Sequence, residues 1–317
     1  MAKSLSITPS ESNEKRLNST NRLKTERILL IICFLAIPLT SLILFTYVPL
    51  VDMVKYSMYH MRGFTDQNPV FVAFGADSLY VDNYYTVFTN SEYWEPLKVS
   101  GIYLLGSFVQ IALALYFATI FYFRPRGASF FKAIIFIPSL LNGVAISLMW
   151  LLILRPSGDG GVINTIRQMF GQPDKAFFGT FWSANIILAA ISVWRYLGNN
   201  MVMFAGSMES ISRDTIEASE IDGANKWKQF THIILPSIKK IIFLNLILAI
   251  NGAVQVFEIP YIMQPNNSVV QSFIMKTINI AFVNRDIGLG AALGIVMLVL
   301  VCIVALVQKV VEKKVED

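Results

Sequence analysis

Apolar residues gather along this chain into six long runs, separated by stretches in which charged and amide residues return. The runs are Ile28–Leu50, Val99–Phe123, Ala133–Leu154, Ala184–Met208, Ile241–Met263 and Ile287–Gln308. Each is close to the ~20 residues an α-helix needs to cross ~30 Å of hydrocarbon. Lipid offers backbone groups no hydrogen-bond partner, so each run is predicted as a helix that satisfies its own N–H and C=O groups. The pattern predicts an all-α membrane protein with six transmembrane helices. It divides the chain into a tail over 1–27, a six-span region over 28–308 holding a loop at 209–240, and a second tail over 309–317. No small-residue cleavage pattern follows Leu50, so the first run is expected to remain as a span.

Charge orients the six. Seventeen of the 26 Lys and Arg residues lie in the two tails, the second-to-third connection and the fourth-to-fifth connection. Eight lie in the alternate segments, and Arg195 lies inside the fourth run. Cytoplasmic segments carry the excess of Lys and Arg, so both termini are expected in the cytoplasm. Composition narrows the classes further. With 55% hydrophobic and only 15% charged residues and a mean hydropathy of +0.56, the chain is neither a disordered tail nor a basic nucleic-acid binder. Its expected surroundings are lipid, with no nucleic acid. Cys33 and Cys302 sit in apolar runs, and His60 and His232 are far apart. No metal-ligand spacing is present, and no histidine-based catalytic set is predicted.

The loop between the fourth and fifth runs has structure written into it. Ser212 stands at an N-cap position, with Asp214 in the first turn where the helix dipole favours a carboxylate. A short helix over Ile216–Ile221 is expected to end at Gly223 in the left-handed conformation. A second helical stretch follows, with Trp227, Phe230 and Ile234 on one apolar face. Pro236 fits the first turn of the helix after that. Physics alone leaves open whether this segment merely connects two spans at the membrane surface.

Glu217-Ala218-Ser219, then Asp222-Gly223-Ala224, then Ile233 and Leu235-Pro236 at their present spacing resemble the EAA loop of binding-protein-dependent ABC importer permeases. Ser219 stands where that loop has its second alanine. Phe131-Lys132 leading to Ile137-Pro138, Trp150, the run Gly161-Val162-Ile163-Asn164, and Trp194 are similar to the carbohydrate branch, and to its maltose-type first permease in particular. The likeness runs from about Asn83 to the C-terminus. It departs from the branch at Met263-Gln264-Pro265-Asn266-Asn267, where a glycine-rich turn is usual.

The resemblance implies a type I ABC importer permease bundle in a prokaryotic plasma membrane. It makes the short helix a coupling helix, with Glu217 contacting an ATPase and with Ala218 and Ser219 allowing close approach. Asp222, Gly223 and Ala224 then form the turn that fixes its angle. No G-x-x-x-x-G-K-[ST] phosphate loop is present. The chain is accordingly expected to be no enzyme and to bind no cofactor, ATP and Mg belonging to a dimer of ATP-binding subunits. A homologous second permease, an extracellular solute-binding protein and a sugar or oligosaccharide complete the expected partners.

Two polar stripes interrupt the apolar runs. Ser192, Arg195 and Asn199 share a face of the fourth, and Asn251, Gln255 and Glu258 share a face of the fifth. Ionisable and amide residues at bilayer depth are functional candidates by default. One reading gives a water-filled substrate path lined by Arg195, Asn199, Asn251, Gln255 and Glu258. The other makes them interhelical contacts, with Arg195 paired to Glu258. An unpaired Arg195 facing a cavity favours an acidic sugar. Asn142 and Gly143 either bend the third run or line the bundle, and Gly290 and Gly294 permit close packing of the sixth. The amide-rich 264–271 segment is a candidate contact for a docking protein. A gradient-driven carrier using Arg195 and Glu258 is the competing class, but it leaves the 209–240 loop without a task. A membrane enzyme is a further class, for which no acid/base pair or metal cluster is present.

Overall fold

A computed structural model describes residues 30–63, 65–66, 69–72, 82–123 and 125–316, with side chains to residue 310. The 1–27 tail and Arg124 lie outside the described residues. The chain divides into a unit ending at Lys55 and a unit beginning at Tyr56. The first unit is described from Leu30 as helix. Helix α1, Leu30–Ser57, contains one widened π turn at Ile43–Tyr47 and exposes large apolar side chains such as Phe34 and Phe45.

The second unit opens with a small antiparallel pair, β1 (Tyr59–His60) and β2 (Val70–Phe71), in which Tyr59 faces Phe71 and His60 faces Val70. Helix α2 (Asn83–Thr89) is capped by the Asp82 carboxylate, which accepts from the Tyr84 N–H. The long helices follow: α3 (Leu97–Tyr122), α4 (Ala128–Leu140), α5 (Gly143–Ile153), the short α6 (Val162–Met169) and α7 (Phe181–Glu209). Next come α8 (Arg213–Ile221), α9 (226–237), α10 (Lys239–Val254), α11 (Glu258–Met263), α12 (Phe273–Val283) and α13 (Ile287–Glu316).

Among the described residues five helices are long and apolar enough to cross a membrane, and the count is six with the bent pair α4–α5 taken as one span. Of the two options for Asn142 and Gly143, the third run takes the bend. α4 and α5 meet at 98° across Leu141 and Asn142. Pro138 lacks the N–H that would continue the ladder. The Asn142 side chain then starts a new helix by accepting from the Val144 N–H at 2.8 Å. The fifth expected span is present as Lys239–Met263, with a local interruption where Gln255 ends α10 and α11 begins at Glu258. α12 was not expected from the hydropathy pattern. α13 continues as helix through residues assigned to the C-terminal tail.

Packing of the long helices depends on small residues. Gly198 in α7 lies so close to α4 that an added Cβ would fall on the Ile135 carbonyl oxygen and 2.6 Å from the Phe136 Cα. Gly290 brings α13 against Ala281 of α12 in the same manner, as the G-x-x-x-G spacing suggested. One apolar cluster gathers Val99 and Ile102 of α3 with Ile146, Leu188 and Ile259. A second gathers Ala114 and Ala118 of α3 with Met201, Phe204 and Ile234. Between these clusters α3 and α7 carry polar residues instead, and there the bundle opens.

Candidate functional site

The opening is a cavity of about 610 Å³ bounded by α3, α7, α10 and α11. All five residues singled out from the polar stripes, Arg195, Asn199, Asn251, Gln255 and Glu258, line it, as does Ser192. The break between α10 and α11 explains part of this geometry. It leaves Gln255 exposed at the end of one helix and sets Glu258 in the first turn of the next.

Arg195 and Glu258 sit in the cavity wall and also form an interhelical ion pair. Arg195 lines the cavity, and its Nη1 also donates to Glu258 Oε2 at 2.6 Å. The Arg195 side chain is 13% exposed and that of Glu258 is 43% exposed. The guanidinium lies 4.9 Å from the centre of the Tyr196 ring, in range for a cation–π contact. Asn251 is likewise tied to the protein, donating to Ile247 O and to Gln308 Oε1 of α13.

Other polar wall residues were not singled out from the sequence: Tyr103, Ser107 and Gln110 of α3, Asn200 of α7, and Asn245 of α10. Ser107 and Gln110 are three residues apart and so share a helix face, the one signal that could have found them. The wall is thus rich in amides and hydroxyls, with aromatic faces from Tyr103, Tyr196 and Phe257. Such a surface can exchange hydrogen bonds with a polyhydroxylated solute and stack against its apolar ring faces. Trp150 and Trp194, both among the residues of the family resemblance, meet edge-on at 5.7 Å.

The 209–240 loop forms a second candidate surface. α8 begins after Ser212, whose side chain makes no capping hydrogen bond. It ends in a Schellman turn, with the Ala224 N–H donating to Ser219 O and the Gly223 N–H to Glu220 O. Gly223 has φ +77°, the left-handed value expected for it. Asn225 then caps α9 by accepting from the Lys228 N–H.

Glu217, Ala218, Asp222 and Gly223 are exposed and Ala224 is half-buried. Ser219 is buried, and its hydroxyl accepts from Gln229 Nε2 at 3.0 Å. Its small side chain lets α9 approach α8 inside the loop. Ile234 and Ile238 seat the far end of the loop in the inner apolar cluster beside Met201 and Phe204. Trp227, from the expected apolar face, is exposed, and Pro236 stands in the first turn of the short helical stretch Leu235–Ser237 that closes α9, as expected.

Residues 110–317 match the model of the family described as binding-protein-dependent transport system inner membrane component. The chain belongs to that family. It is a multi-pass plasma membrane protein with the fold of a type I permease bundle. It is 31% identical over 235 residues to the probable ABC transporter permease protein YesP of Bacillus subtilis, covering 72% of this chain and 75% of that one. It is 23% identical to the probable starch degradation products transport system permease protein AmyD of Thermoanaerobacterium thermosulfurigenes, covering 87% and 91%. A solved bacterial alginate ABC transporter in complex with its pentasaccharide-bound periplasmic protein contains a chain of the same fold. The TM-score is 0.74, with 20% identity and 90% and 94% of the two chains covered.

Proposed function

We propose that this chain is one permease subunit of an ATP-driven importer that takes a sugar or oligosaccharide from an extracellular binding protein into the cytoplasm. The observation that carries the proposal is the convergence of the two polar stripes on one cavity between two apolar clusters. Hydroxyl-rich cargo matches a wall of amides, hydroxyls and tyrosines, and the relatives named for starch degradation products and for diacetylchitobiose support the same class.

Energy enters through the 209–240 loop. Exposed Glu217, Ala218, Asp222 and Gly223 offer α8 to an ATP-binding subunit, and the Schellman turn holds the angle between α8 and α9. Ile221, 87% exposed, adds an apolar anchor on α8 itself. Because α9 ends among Met201 and Phe204 of α7, a push on α8 reaches the wall of the cavity through packed side chains. A homologous second permease supplies the other half of the path.

The test is affinity purification of the full chain from its native host in mild detergent. An ATP-binding subunit and a second six-span protein are expected to accompany it. Glu217→Lys and Ile221→Asp are expected to lose the ATP-binding subunit and retain the second permease. Recovery of neither partner, under conditions that keep a known importer intact, would return the problem to gradient-driven carriers.

A further inference from the structure

The cavity wall contains one cation and one anion, Arg195 and Glu258, and they are bonded to each other. Its remaining polar residues are neutral amides and hydroxyls. We infer that Glu258 is the charge-selecting residue of this permease: it occupies Arg195 as an internal counter-ion, so the cavity admits neutral sugars and rejects carboxylated ones. The inference rests on the reading of the cavity as a sugar path.

Three observations on different elements support it. Arg195 is nearly buried, and a guanidinium removed from water needs a carboxylate or an equivalent acceptor beside it. Glu258 supplies that acceptor from the first turn of α11, directly after the break that ends α10. Gly143, the first residue of α5, is the third. A Cβ on Gly143 would collide with both Glu258 Oε1 and Arg195 Nη1. The bend between α4 and α5 therefore brings a residue without a side chain against the pair, and the space it leaves is the space the pair occupies.

Specificity follows from competition. A uronic acid carboxylate entering the cavity meets an Arg195 whose charge is already countered and whose Nη1 is already bonded, together with the negative charge of Glu258. A neutral sugar meets hydroxyl and amide partners without displacing anything. Removing the negative charge of Glu258 while keeping its shape frees Arg195 for a bidentate contact with a carboxylated sugar, the geometry guanidinium groups favour.

The experiment measures equilibrium binding of maltotriose and of trigalacturonate to the full chain in lipid nanodiscs, following the fluorescence of the tryptophans that include Trp194 beside Arg195. The wild type is expected to bind maltotriose in preference to trigalacturonate. Glu258→Gln is expected to gain trigalacturonate affinity by on the order of tenfold, with the gain falling as salt is raised. The double variant Arg195→Gln with Glu258→Gln is expected to lose that gain and keep maltotriose binding. Gly143→Ala changes no charge and displaces the pair sterically, so it is expected to move selectivity in the same direction by a smaller factor. That variant keeps the inference testable if Glu258→Gln fails to fold. Unchanged trigalacturonate affinity in folded Glu258→Gln or Gly143→Ala, or a wild type that already prefers trigalacturonate, overturns the inference and leaves the sugar path standing. Binding of neither sugar by any variant overturns the sugar path and the inference with it.

Discussion

Two small residues decide how closely segments of this permease approach, and each gives a measurable outcome. Ser219, the departure from the alanine of the EAA loop, accepts from the amide of Gln229, itself 1% exposed. Ser219→Ala leaves a buried donor without its acceptor and is expected to cost about 1–3 kcal/mol, read as a lower thermal midpoint of the purified protein. Ser219→Ala combined with Gln229→Leu removes both halves of the bond and is expected to recover most of the loss. A double variant no better than the single one would mean that the bond does not hold α8 to α9. Gly198 supplies the second case. With Ile135 and Phe136 backbone atoms against it, Gly198→Ala has to move α4 away from α7 and is expected to destabilise by about 1–3 kcal/mol. Gly206, in the same helix and with nothing within 4 Å, is the control. Gly206→Ala is expected to be neutral or slightly stabilising, since alanine is the better helix former.

Among the elements, the segment joining α5 to α7 illustrates how a connection is made rigid without a sheet. The Asn164 amide, buried in α6, donates to Arg155 O and accepts from the Lys175 N–H, tying both ends of the segment together. Asp174 accepts from the backbone and hydroxyl of Ser157 and from Gln168. These bonds, the Ser157 backbone N–H first, hold its carboxyl below the usual carboxylate range. A depressed carboxylate stabilises the folded segment above its unfolded pKa, and that stability fades as pH falls through the folded value. Protection of this segment from protease is therefore expected to be flat between about pH 5 and 8 and to weaken only below about pH 4. Asp174→Asn is expected to weaken it at every pH. A midpoint near neutral pH would assign the effect to another group.

The same scale shows what the sequence made legible. Hydropathy located the spans because apolar length is a local property of the chain. It left the bend at Leu141–Asn142 as one of two options for Asn142 and Gly143 and gave no sign of the interruption after Gln255, because apolar residues continue on both sides. The Gly223 turn was readable because only one residue type suits its backbone angle. The Arg195–Glu258 pair was readable only as one of two possibilities, since a separation of 63 residues carries no distance. Gln308, isolated in an apolar run, gave no signal until Asn251 was found bonded to it.

For the whole molecule, function requires that the 209–240 loop and the 264–271 segment face opposite sides of the membrane. Seventeen Lys and Arg residues against eight place the loop inside. Under the proposed function, the cavity then lies between the cytoplasmic loop that would receive force and an outer segment rich in amides, which is the order an importer needs. This arrangement is testable without any partner. Cys33 and Cys302, the native thiols, are first replaced by alanine. Single cysteines are then introduced as Ser212→Cys before α8 and Asn266→Cys after α11, both at exposed positions. A membrane-impermeant maleimide added to intact cells is expected to label Asn266→Cys at once and Ser212→Cys only after the membrane is opened. Labelling of Ser212→Cys in intact cells would put the coupling surface on the side without ATP. No ATP-binding subunit could reach it there, and the importer assignment would fail however well the cavity binds sugar.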